Sequence, residues 1–154
     1  MLITQILCIQ HHVFFEQLDY LKRLKEMKES PDVSGLKEVA FAIAEALEKH
    51  SAVEEKFLYP KLKAAFENKL GPVGVMEQEH REIHHILESL KQTNDPQKIQ
   101  VETSRFIIYL RDHLAKEENF LFTLAEQFLG KEKLEEAARE AGFSNRKGEM
   151  LVHY

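Results

Sequence analysis

The chain has 154 residues, 44% of them hydrophobic, with 21 basic and 26 acidic side chains interspersed and a net charge of −5. That is enough apolar material for one domain with a core of its own over residues 1–154. The charge balance supplies neither a basic stripe for nucleic acid nor an acidic tail, so neither partner class is expected.

The first segment, MLITQILCIQ, is apolar but lacks a positive leader and meets His11 and His12 too soon to cross a bilayer. It reads as the start of a mature helix, with no membrane association. Its one cysteine, Cys8, excludes an internal disulfide framework and a cysteine-based zinc site, and makes the cytoplasm the expected location. Helix-stopping residues occur at SPDVSG (30–35), NKLGPVG (68–74) and TNDP (93–96). The long segments between them predict helices over about 4–29, 36–67, 73–92 and 97–129, and a short fifth helix over about 131–141 after Gly130. Pro60 falls inside the second and should kink it. No segment alternates with period two, so the expected fold is all-α, an up-down-up-down four-helix bundle over about 3–129 with a short C-terminal helix and tail over 130–154.

One face of the second helix carries Ile43, Leu47, His50, Glu54 and Phe57, and the fourth carries Phe106, Leu110, His113, Glu117 and Phe120 at the same offsets. The first helix reads Leu7, His11, Phe14, Leu18 and Leu21, and the third Met76, His80, Ile83, Leu87 and Leu90, again in step. The chain thus reads as a duplicated helix pair in which every long helix points a histidine at the bundle axis. The second and fourth helices add a glutamate one turn on, and the third adds His84. Burying carboxylates without partners costs several kcal/mol each, roughly. A metal centre removes that difficulty, because neutral imidazoles and carboxylates four residues apart can reach one ion together.

Neighbouring candidates separate by angle. His12 lies about 100° round from His11, and His85 about 140° from His80, so both should be solvated. The same geometry favours Glu54 over Glu55 and Glu117 over Glu118, leaving Glu55 and Glu118 as dispensable neighbours. A ferritin-like centre needs Glu-x-x-His on two helices, and positions 47 and 110 are leucine. A closed zinc site takes four ligands, fewer than the seven candidates here, whereas manganese remains open. Tyr109, one turn before His113, is the candidate for an accessory hydroxyl.

The set His11, His50-x-x-x-Glu54, His80-x-x-x-His84 and His113-x-x-x-Glu117 resembles the hemerythrin family, in particular its bacterial histidine-histidine-glutamate cation-binding branch. That resemblance implies two iron ions joined by an oxo or hydroxo bridge, with Glu54 and Glu117 spanning both. It further implies that His80, His84 and His113 hold one iron and His11 and His50 the other, leaving a position for dioxygen, nitric oxide or a small anion. Some relatives lack the second histidine of the third helix, so a bundle-edge role for His84 stays open. Oxygen-carrying relatives place an aspartate five residues after the last histidine, the spacing of Glu118, which stays an alternative to Glu117. The implied function is binding of dioxygen or nitric oxide for carriage, storage or sensing. The alternative is an oxidase- or peroxidase-type enzyme or an iron-handling, iron-centre repair protein. Repair members usually carry an additional cysteine-containing N-terminal segment and sensors an output module, neither of which is read here. No redox partner is identifiable.

Overall fold

The computed structural model describes residues 1–27, 33–66 and 71–143, and every regular element among them is helical. Helix α1 (Ile3–Lys25) is followed by α2 (Val33–Val53), a π turn (Glu54–Leu58) and α3 (Tyr59–Ala65). Helix α4 (Pro72–Gln92) is followed by α5 (Pro96–Lys116), a second π turn (Glu117–Leu121) and α6 (Phe122–Glu140). The result is an all-α four-helix bundle whose third and fourth rods repeat the first and second. The ends expected at 29 and 67, and the tail from 144, lie outside the described residues.

Local chemistry accounts for the boundaries. The N–H of Leu2 donates to Gln5 Oε1 at the start of α1 (2.9 Å), satisfying one of the donors a helix start leaves open. Pro72 and Pro96 open α4 and α5, where a missing N–H is harmless, and Asp95 caps α5 by accepting from the N–H of Gln97 (3.1 Å). Helix α2 begins at Val33, three residues before the expected start, because Gly35 is tolerated in a first turn. Gly130 adopts φ +78°, a conformation open to glycine, and bends α6 where the sequence placed the start of a fifth helix.

The largest departure from the expected helices is the pair of π turns. In each, an N–H reaches back five residues instead of four: Tyr59 to the Glu54 carbonyl and Phe122 to the Glu117 carbonyl. The extra residue shifts the apolar stripe by one position. Leu58 (0% exposed) and Leu121 (1%) therefore face the core, whereas Phe120, expected there, is 67% exposed and Phe57 is half-buried. Pro60 follows as the second residue of α3, where its lost donor matters little, and the second π turn forms without any proline.

Two apolar clusters fill the interior. One gathers Ile3, Leu7, Leu58, Leu62, Met76 and Leu121 with α6; the other gathers Phe14, Leu18, Ile43, Ile83, Phe106 and Leu110. Each large side chain so buried stabilises the fold by about 1.5–3 kcal/mol. Between the clusters lies a polar layer of His11, His50, Glu54, His80, His113 and Glu117, all buried.

Candidate metal centre

Six of the seven candidate ligands converge in that layer, as two groups that share both glutamates. One group is His11, His50, Glu54 and Glu117, and the other is His80, His113, Glu54 and Glu117. Helix α1 and the end of α2 supply the first histidine pair, and α4 and the end of α5 the second. His84 is not brought in. It is exposed on α4 beside buried Ile83, because a turn of straight α-helix after His80 carries the side chain past the bundle edge. His12 and His85 are also exposed.

Each of the four histidines is held by an oxygen at Nδ1. His11 donates to Glu118 Oε1 (3.2 Å), His50 to Gln10 Oε1 (2.7 Å), His80 to Glu55 Oε1 (2.8 Å) and His113 to Glu79 Oε1 (2.9 Å). Carboxylate and amide oxygens only accept, so each Nδ1 carries a proton and each Nε2 points into the layer. These partners were not legible as such, since Glu55 and Glu118 had been expected to turn away as dispensable neighbours. The wider π turn reduces the angle between consecutive residues, so Glu54 and Glu117 face inward while Glu55 and Glu118 reach across to a neighbouring helix. The repeat offered a signal: Gln10 and Glu79 each precede the first histidine of their half, and Glu55 and Glu118 each follow the glutamate.

The repeat is broken in places. Lys116 Nζ donates to Glu79 Oε2 (2.7 Å), whereas the equivalent Gln10 is neutral. Five residues after Glu54, the Tyr59 hydroxyl donates to Glu117 Oε2 (2.8 Å) and lies 3.5 Å from His80 Nε2. Its counterpart five residues after Glu117 is Phe122, which stacks on His11 with ring centroids 5.4 Å apart. The accessory hydroxyl is thus Tyr59, whereas Tyr109 lines a surface groove beside Gln78.

Whether these residues fit a pair of ions can be judged from the atoms themselves. His11 Nε2 and His50 Nε2 are 3.0 Å apart, and His80 Nε2 and His113 Nε2 are 3.1 Å apart. Two nitrogens about 2.0–2.1 Å from one ion, at roughly a right angle, are separated by about that distance. Facing lone pairs repel unless a metal ion or a proton lies between them. Both oxygens of Glu54 and Oε1 of Glu117 are buried with no hydrogen-bond partner, although imidazole Nε2 atoms lie 3.2–3.5 Å away. A donor set of imidazoles and anionic carboxylates suits a divalent first-row metal, and it fits.

The protein groups alone show the same demand for positive charge. Burial pulls His11 and His113 down, but the carboxylates beside them, Glu117 and Glu118 at His11 and Glu117 and Glu79 at His113, outweigh it, raising them to about 9 and about 10. His80 is raised as well, by Glu54 against its burial. His50 is held well below its usual range by burial and by His11. Burial and the neighbouring Glu117 push Glu54 up to about 8, whereas the close approach of Glu54, His11 and His113 overcomes burial to hold Glu117 well below the usual carboxylate range.

The model of the hemerythrin HHE cation-binding domain matches residues 2–125. The chain belongs to this family. The hemerythrin-like domain resembles proteins called iron-sulfur cluster repair protein YtfE, among them those of Escherichia coli (strain K12 / DH10B) and Shigella boydii serotype 18 (strain CDC 3083-94 / BS512). Each is 31% identical over 103 residues, 59% of this chain and 47% of the relative. The chain therefore spans about half the length of the curated relatives it matches. No solved structure matches it. Membership in the family implies iron binding, and the buried histidine and glutamate groups could hold it. No helix among the described residues is long and apolar enough to cross a membrane.

Proposed function

We infer that this hemerythrin-like domain holds two iron ions and binds a small ligand, dioxygen or nitric oxide, for carriage, storage or sensing. His11 and His50 would hold one ion and His80 and His113 the other, with Glu54 and Glu117 shared. The observation that carries the reading is the sharing of both glutamates by two histidine pairs whose Nε2 atoms are 3.0 and 3.1 Å apart. An iron pair would supply a redox-active site with coordination positions for a small ligand beyond the four protein residues around each ion. The chain's own residues would set its properties. The Nδ1 partners fix the four imidazoles, the two apolar clusters exclude water, and the Tyr59 hydroxyl holds Glu117 Oε2 in place beside His80. A cytoplasmic location is part of this reading.

Anaerobic reduction after iron loading, followed by spectroscopic titration with dioxygen and nitric oxide, tests it. Two irons per chain and a reversible adduct are expected. A metal-to-protein ratio near one or zero after careful loading would sink the di-iron reading. A second reading, iron-centre repair, draws on the likeness to proteins of that name. It would be favoured if the iron-loaded chain restored activity to an enzyme with a damaged iron-sulfur cluster and gave no stable adduct.

A further inference from the structure

Among the described residues, the two halves of the centre differ in what covers their histidines. On the first, His11 is 0% exposed beneath the Phe122 ring, and His50 is 2% exposed against the edge of Phe14 (centroids 5.3 Å). On the second, His80 forms part of the wall of a cavity of about 250 Å³ between α2 and α4. Its walls include Phe41, Leu47, Ile83 and Leu87, and its exposed residues are Glu45, Glu48 and His84. Its lining includes two acidic residues, Glu45 and Glu48, and no lysine or arginine.

We propose that this cavity is the entry route of the exogenous ligand, that the ligand binds on the His80 and His113 side, and that the route selects neutral diatomic molecules over anions. The proposal rests on the di-iron reading above. An apolar wall passes an uncharged diatomic without a desolvation penalty, whereas an anion meets two carboxylates at the mouth and then must shed water. The Tyr59 hydroxyl, 3.5 Å from His80 Nε2, waits on the same side. His84 thereby has a place at the entrance without being a ligand.

The test is stopped-flow association of nitric oxide and of azide with reduced, iron-loaded protein. Ala44 also lines the cavity, and Ala44→Phe, which adds a ring to its wall, should slow nitric oxide by about tenfold or more with iron content unchanged. Glu45→Gln with Glu48→Gln should speed azide by about threefold at low salt, an advantage that salt removes, and leave nitric oxide alone. Xenon added to the full chain without iron should shift the Ile83 and Leu87 methyl resonances, and should not in Ala44→Phe. If wild-type protein loads two irons yet binds neither ligand, the small-ligand reading above falls and takes this one with it. If wild type binds nitric oxide and fully loaded Ala44→Phe binds it as fast, the route is wrong while the centre stands. Should Ala44→Phe fail to load iron, the glutamate pair decides, and unchanged azide rates overturn the proposal, as does absence of xenon shifts in wild type.

Discussion

Replacing Glu54 or Glu117 with alanine removes a carboxylate shared by both histidine pairs, so at least one iron per chain should be lost. The neighbours differ. Glu55→Ala and Glu118→Ala remove the acceptors for His80 and His11 Nδ1, and loss of such a partner typically weakens metal binding by about 10–100-fold. Both variants should load fully at high iron and lose iron readily to a competing chelator. Equal chelator resistance in Glu118→Ala and wild type would show that the Nδ1 contact contributes nothing. The inward histidines and glutamates were legible because a ligand on an apolar stripe advertises itself within its own helix. Gln10, Glu55, Glu79, Glu118 and Tyr59 act on side chains from other helices, which no single-helix pattern can reveal. His84 stands exposed, outside both groups, because an offset of about 40° on a helical wheel does not locate the bundle edge.

At the scale of elements, the four rods and the break at Gly130 followed from breakers and stripes, but the π turns did not. One extra residue per turn leaves an apolar stripe looking continuous when phenylalanine and leucine stand side by side, as in Phe57-Leu58 and Phe120-Leu121. Deleting one residue from a π turn, Phe57 for instance, should restore ordinary four-residue hydrogen bonding while leaving Leu58 and Tyr59 in their places. The metal-free deletion variant is expected to melt no lower than metal-free wild type. Its glutamate would be turned, so the rise in melting temperature on adding iron should largely vanish. A full iron-dependent rise in the deletion variant would show that the π turn is not what aims the carboxylate.

For the whole molecule, the buried layer couples protons to metal. His11 and His113 titrate near 9 and 10 in the folded protein, against 6.5 ordinarily, so their stabilisation is complete below about 6.5 and is lost as pH rises through those values. Glu54, raised to about 8, acts in the same direction from about 4.5 upward. Glu117 and His50, both lowered, oppose only on the acid side. Metal-free protein should therefore melt progressively lower between pH 7 and 10. Metal binding must displace the same protons, so affinity should rise over that interval and loading at pH 7 should acidify a weak buffer. The gap between metal-loaded and metal-free melting temperatures should accordingly widen with pH and shrink in acid. A metal-free melting temperature that climbs from pH 7 to 10 would contradict the charge states assigned to the layer.

The crossed contacts of the polar layer also make the two halves of the chain hostage to one another. Residues 1–66 supply the first histidine pair, yet its His11 leans on Glu118 and its group needs Glu117; residues 71–143 supply the second pair, yet its His80 leans on Glu55 and its group needs Glu54. Expressed as separate fragments, neither half can complete a group, and mixing them should yield complementation that depends on metal. Size-exclusion chromatography should show the two pieces eluting together with iron or manganese and apart with a chelator. Either fragment pairing with itself around metal would reveal that the ancestral symmetry of the repeat still suffices to build a centre.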